Sequence, residues 1–282
     1  MKITVDDGVE INVSVQGEGA PVMLVHGFPD SGAIWRRQTE ALVQAGFKVI
    51  VPDLPGCGES SIPATLAGYC IPNIEKALVG VLDHLGVDHF QLVGHDWGSA
   101  ISWDLIPQLG GRVDRFATLQ IGHFNEQMAG GEDQRMRYWY IWWFQYAGIV
   151  EECLRADDWR MFREWMAGEA DVPGHPYPDD IIAGLSREGR LTAALDIYRA
   201  DNVDPRFFQG IPLGGPDIDC PTLGIYFSGD KYIGPAGLQN SAKHVNNEFR
   251  LEVVEGGGHF GQWGKAEEVN ALLLDFLDPT LR

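Results

Sequence analysis

The sequence predicts an α/β fold: a mostly parallel sheet of eight strands with helices on both faces, and a helical segment inserted after the sixth strand. Three observations carry this expectation. Short apolar, strand-like runs alternate with helical runs as far as about residue 122. The alternation stops between about 125 and 213, a stretch with no convincing strand pattern. It resumes with "PTLGIYFSGD" (221–230) and continues to the end. Strands that alternate with helices pair in parallel and need cover on both faces.

The elements follow in order. "KITV" (2–5) and "EINVSV" (10–15) alternate with period two, and "DDG" (6–8) between them signals a hairpin turn. "PVMLVHG" (21–27) is a continuous apolar run, as a strand buried on both faces requires. A helical run, 31–46, closes on Gly46 where a C-cap belongs. Strand "KVIVPDL" (48–54), helix 73–86, strand "FQLVGHD" (90–96), helix 98–109 and strand "RFATLQIG" (115–122) complete the first part. Within the insert, "YWYIWWFQY" (138–146) holds seven aromatics in nine residues. Strand "FRLEVV" (249–254) and helix 266–277 finish the chain. This divides the protein into a core, 1–124 with 214–282, and a helical cap, 125–213.

A net charge of −19 over 282 residues argues against nucleic acid and anionic membranes as partners, since both need basic patches. It also disfavours small anionic substrates unless local cations hold them. The four cysteines (57, 70, 153 and 220) are scattered, without metal-ligand or disulfide-framework spacing, which fits reduced thiols in a cytoplasmic protein. No apolar signal segment opens the chain, and the longest apolar runs are strand-length. No metal or cofactor motif occurs.

"LVGHDWGSA" (92–100) carries the chemistry. A strand enters a tight turn between Gly94 and Gly98 and leaves as a helix, which exposes the middle side chain at the sheet edge. That side chain is Asp96. A carboxylate gains little by attacking an ester, because the product is an anhydride. At a saturated carbon its attack gives an alkyl ester that water can cleave, whereas a serine would form an inert ether. Asp96 therefore implies covalent catalysis in two half-reactions. The second needs a base and a group that orients it: His259 follows the last strand and Asp230 the strand before it. The N–H groups of Trp97 and Phe28 ("HGFP") would form the oxyanion hole. His26 and His95, which flank these motifs, read as loop supports.

Together "HGFPDSGAIWRRQ", "VPDLPGCGES", "GHDWGSA", "SGDKY" and "GGGHFGQW" resemble the epoxide hydrolases of the α/β-hydrolase fold and their relatives, the haloalkane and haloacid dehalogenases of that fold. The resemblance covers nearly the whole chain. It implies an eight-stranded core with a cap inserted after the sixth strand, no cofactor, and an apolar epoxide and water as reactants. Epoxide opening develops a basic alkoxide and needs an acid. Epoxide hydrolases of this fold carry two cap tyrosines, which "YIWWFQ" and "ALDIYRAD" place at Tyr140 and Tyr198. The pocket is then expected from Trp139, Ile141, Trp143, Phe144 and Phe260.

Two other functions compete. A dehalogenase needs only N–H donors for its halide, and Trp139, Trp142 and Trp143 offer indoles. Against it, Phe28 replaces the Asn frequent in haloalkane dehalogenases, and Trp97 replaces the Arg of fluoroacetate dehalogenases. A non-catalytic ligand-binding protein of the same fold would leave the Asp96–Asp230–His259 set idle. A homodimer is one assembly the sequence leaves open.

Overall fold

The computed structural model describes residues 1–5, 8–167, 178–200, 209, 215–278 and 280. Eight strands form one sheet in the order β1-β2-β4-β3-β5-β6-β7-β8. They are β1 (Lys2–Thr4), β2 (Glu10–Gln16), β3 (Ala20–Val25), β4 (Phe47–Pro52), β5 (Phe90–His95), β6 (Val113–Leu119), β7 (Thr222–Phe227) and β8 (Phe249–Val254). β1 pairs antiparallel with β2, and β2 with β4; β4, β3 and β5 to β8 run parallel. Asp6 and Asp7 of the expected hairpin turn lie outside the described residues. Its Gly8 has φ +77°, which glycine adopts without a Cβ penalty.

The order of the strands fixes the faces. The chain runs from β3 to β4 in one direction across the sheet and from β4 past β3 to β5 in the other. Right-handed crossovers therefore place α1 (Arg36–Gln44) on one face, with α2 (Ile71–His84) and α3 (Trp97–Leu105) on the other. Accordingly α1 packs against the helix Ala266–Phe276, and α2 against α3. β3, β5, β6 and β7 are almost wholly buried, as their uninterrupted apolar runs require.

Helix ends differ from expectation where local chemistry intervenes. The first helical run opens as a 3-10 turn, Gly32–Trp35, capped by the Ser31 hydroxyl, before α1 begins. α2 begins two residues earlier than expected, because Pro72 suits a first turn whose N–H groups need no partner. α3 tightens into a 3-10 turn, Ile106–Leu109, where Pro107 stands, and ends on Gly110 at φ +57°.

Between β6 and β7 every described regular element is helical: a 3-10 turn at Phe124–Glu126, then α4 (Gly131–Arg137), α5 (Trp139–Trp143), α6 (Ile149–Met166), α7 (Asp179–Leu185) and α8 (Arg190–Ala200). α6 is broken at 156–159, where three successive residues take left-handed φ. The expected end of the insert at 213 lies outside the described residues. Among the described residues no helix is long and apolar enough to cross a membrane.

Candidate active site

The sheet reverses direction of growth at β3 and β5, and the crevice beyond the carboxyl ends of two such strands is where open α/β sheets bind ligands. The register Val25↔Gly94 sets the loop after β3 beside the turn after β5. There Asp96 has φ 52°, ψ −125°, and α3 starts at the next residue. A non-glycine residue in such a conformation is strained, and its surroundings must hold it. Gly94 and Gly98 allow the close approach: a Cβ on Gly94 would meet the backbone of Gly98 and Ser99, and one on Gly98 the carbonyl of Val25.

The Asp96 carboxylate is gripped from two sides. The Phe28 N–H donates to Oδ1 at 2.8 Å, and the Trp97 N–H also bonds the carboxylate. On the other side His259 Nε2 lies 3.4 Å from Oδ2. His259 Nδ1 meets Asp230 Oδ2 at 2.7 Å. Asp230 is held by the N–H groups of Tyr232 and Ile233 on Oδ1, at 2.6 and 3.0 Å, and by Gln120 Nε2 on Oδ2 at 2.6 Å. Gln120 terminates β6 with φ 70° and its Oε1 accepts the Phe227 N–H. It thereby fastens the ends of β6 and β7 together beneath the carboxylate.

Electrostatics follow from this packing. Burial alone would lower the His259 pKa, but the carboxylates of Asp230 and Asp96 outweigh it and lift the ring to about 10. Burial works to raise Asp96, yet the hydrogen bond and charge of His259 and the Trp97 amide hold it below the usual carboxylate range. Imidazolium and carboxylate therefore face each other in the resting site. The neighbouring histidines are neutral. Burial, reinforced by the charge of His259, lowers His95 to about 3, so its ring N–H donates to the His259 carbonyl at 2.8 Å. Burial also lowers His26. Its Nε2 accepts the Leu54 N–H, which leaves Nδ1–H to donate to Gly27 O. These two rings stiffen the loops that carry Phe28 and His259.

Above the carboxylate stand Tyr140 on α5 and Tyr198 on α8, their ring centroids 6.0 Å apart. Burial keeps both phenols well above the ordinary tyrosine range, hence protonated. The Trp97 indole bonds the Tyr198 side chain. The two helices are tied to each other. Gln145 Nε2 donates to the carbonyls of Ile141 and Tyr198. The buried Arg199 donates to Phe144 O at 2.7 Å and to both carboxylate oxygens of Glu151.

Two cavities adjoin these groups, and Asp96, Tyr140 and Tyr198 line both. The larger, about 100 Å³, is walled mainly by apolar side chains including Ile121, Phe124, Ile141 and Ile233. The smaller, about 20 Å³, lies against His259, Phe260, Phe28, Trp165, Met166 and Tyr232. A wider cleft of about 700 Å³ lies between Pro29–Asp30 and α7–α8, but none of the five groups Asp96, Asp230, His259, Tyr140 and Tyr198 lines it.

Among the expected pocket residues, Ile141 and Phe260 line the cavities. Trp139 and Trp143 do not: they stack on each other with centroids 5.6 Å apart, and Trp139 is 45% exposed. Phe144 is fully buried behind Phe28 and Tyr198 and reaches neither cavity. The spacing explains this division. Tyr140 and Phe144 share one face four residues apart, and Trp139 and Trp143 share the next. Tyr138, Trp165, Tyr232 and Gln120 were not among the expected site residues. Tyr138 opens the aromatic run and Tyr232 lies two residues past Asp230, so both had a signal in the sequence. Trp165, at the far end of a broken helix, had none.

Residues 20–160 match the family model of the alpha/beta hydrolase fold. The chain is 32% identical to epoxide hydrolase A of Mycobacterium tuberculosis, over 96% of its own length and 95% of that protein's. The chain belongs to the epoxide hydrolase family. A second member, an epoxide hydrolase of Caballeronia sordidicola, is 33% identical over 96% of this chain and 91% of its own. Among solved structures, epoxide hydrolase A of Mycobacterium thermoresistibile superposes with a TM-score of 0.82 at 28% identity, covering 98% of this chain and 97% of that one.

The raised His259 pKa makes this family member's stability pH-dependent in a defined direction. The folded state holds the proton more tightly than the unfolded chain, whose histidine titrates near 6.5. The resulting stabilisation is complete below about pH 6.5 and is lost as pH rises through about 10. The melting temperature should therefore fall more between pH 7 and pH 10 in the wild type than in His259→Gln; parallel curves would contradict the ion pair.

Proposed function

We propose that this enzyme hydrolyses a small apolar epoxide to a vicinal diol through a covalent ester on Asp96, with residues 125–213 acting as its cap. The supporting observation is that one cavity boundary brings together a carboxylate held by two N–H groups, a His–Asp pair behind it, and two protonated phenols opposite. In the first half-reaction Asp96 Oδ2 attacks an epoxide carbon. The C–O bond breaks, and Tyr140 and Tyr198 donate hydrogen bonds to the leaving oxygen, one delivering its proton. The Phe28 and Trp97 amides hold Oδ1.

Alkylation removes the charge of Asp96. His259 then loses one of the two carboxylates that raise its pKa, so it can release its proton, which restores the phenol that protonated the leaving oxygen, and serve as a base. Once neutral it takes a proton from water, whose oxygen attacks the ester carbonyl; the tetrahedral intermediate then collapses, the bond from the carbonyl carbon to the diol oxygen breaks, and the imidazolium gives its proton to that oxygen. Asp230, fixed by three donors, stabilises the imidazolium that forms. The oxyanion develops at the carbonyl oxygen already held by Phe28 and Trp97.

A halide site finds less support: the Trp97 indole is engaged by Tyr198, Trp139 and Trp143 lie outside both cavities, and the Trp165 indole alone is left to face Asp96 among the described residues. The scattered thiols and acidic charge fit a cytoplasmic enzyme.

The test is a panel of epoxides and haloalkanes read by diol and halide release: diol without halide supports the reading, and halide release at comparable rates overturns it. His259→Gln isolates the second step. With it the ester should persist, and intact mass should show enzyme plus substrate. No adduct, with an epoxide that the wild type turns over, would remove His259 from water activation.

A further inference from the structure

We propose that the small lobe beside His259 is the site of the hydrolytic water, with the Trp165 indole N–H as its fixed donor, so that the enzyme is selective for terminal epoxides. This inference rests on the epoxide reading above and goes on to name the substrate class.

The volumes come first. A cavity needs at least roughly 10–15 Å³ to admit one water. The lobe against His259 has about 20 Å³, room for one water and no substituent. The opposite lobe has about 100 Å³. The two share Asp96, Tyr140 and Tyr198 as walls, so an epoxide ring placed between the carboxylate and the phenols borders both.

The polar groups come second. A buried water needs two to four partners. The small lobe offers His259, Asp96 and the two phenols, and one donor otherwise unaccounted for. The Nε1–H of Trp165 is buried and has no hydrogen-bond partner among the described residues, and Trp165 is a wall of this lobe. An orphaned buried donor costs free energy unless something accepts from it. A water oxygen between Trp165 and Asp96, giving one of its protons to neutral His259, satisfies that donor. It also stands on the side of the ester from which His259 can act. The ring of Trp165 is locked in place: it packs on Phe28, Tyr140, Phe144 and Tyr232, with centroids 5.4 to 6.3 Å away.

The selectivity follows. A terminal epoxide carries its substituent into the apolar lobe of Ile121, Phe124, Ile141 and Ile233, and its slim methylene end leaves the water in place. A trans-disubstituted epoxide must push a carbon into the small lobe, against Met166 and Trp165, where the water belongs. One methylene too many or too few in an apolar pocket changes specificity by roughly 10- to 200-fold.

The experiment compares 1,2-epoxyhexane with its isomer trans-2,3-epoxyhexane, reading kcat/KM from diol formation. The wild type should favour the terminal isomer by at least about ten-fold, and Met166→Ala, which opens the small lobe, should narrow that ratio. Trp165→Phe keeps an aromatic ring at this wall and removes the donor. In single-turnover mixing it should slow ester hydrolysis relative to alkylation by about ten-fold, one neutral hydrogen bond's worth, so that alkyl-enzyme accumulates. Equal kcat/KM for the two isomers in the wild type would overturn the terminal selectivity, and an unchanged partition between the two steps in Trp165→Phe would overturn the water site. Absence of diol from both isomers would instead defeat the epoxide hydrolase reading itself.

Discussion

Replacement of Asp96 by alanine is expected to lower turnover by about 10⁴-fold or more, as loss of a covalent nucleophile does, while the protein stays folded. The side chain attacks the epoxide, and among the described residues no other carboxylate lines either cavity to take its place. The cost to stability is bounded. The Phe28 N–H and His259 lose a partner in a buried site, worth about 1–3 kcal/mol for an unsatisfied group. The strained backbone at φ 52° is retained, and water can enter the space the carboxylate leaves. Circular dichroism and a melting curve would establish the fold, and diol formation the activity. Near-wild-type turnover in a folded variant would refute the covalent mechanism. Asparagine is a poorer substitution, since an amide at this position can hydrolyse back to aspartate.

The second large effect lies on the leaving-group side. Tyr140→Phe and Tyr198→Phe each keep the ring, and with it the contacts to Phe28, Phe144 and Trp165. Only the hydroxyl is lost. General acid catalysis typically contributes roughly 10²- to 10⁴-fold. With two donors sharing the alkoxide, each single change should slow alkylation of Asp96 by about ten-fold or more, and the double change should bring it close to inactivity. Ester hydrolysis should be far less affected, because His259 and the Phe28 and Trp97 amides act there. Rapid-mixing kinetics on the double variant separate the two steps. Bromide leaves without a proton, so a bromoalkane serves as control. Epoxide opening at the wild-type rate would exclude the tyrosines from the reaction.

What could be read from the sequence, and what could not, has a physical pattern. The succession of strands and helices along the chain follows from short-range signals: apolar runs, turn glycines and the alternation of periods. The elbow at Asp96 is legible because a residue with φ 52° between Gly94 and Gly98 requires those glycines. Asp230 and His259 are legible because loops after adjacent parallel strands must meet. Pocket walls are another matter. Trp139 and Trp143 belong to the same aromatic run as Tyr140, and only the phase of a five-residue helix turns them away from the cavity. Gln120 reads in the sequence as a neutral residue at a strand end. Its role under Asp230 arises from a positive φ and a contact across more than one hundred residues. Trp165 reaches the small lobe only through the fold of α6, whose break at 156–159 no proline or glycine announces.

The central claim, an ester formed on Asp96 and cleaved at its own carbonyl, is tested most directly by a single turnover in ¹⁸O-labelled water with enzyme in excess over epoxide. The account predicts that the label enters the peptide containing Asp96 and that the first diol formed carries none. Label in that first diol, with Asp96 unlabelled, would mean that water attacks the epoxide carbon directly.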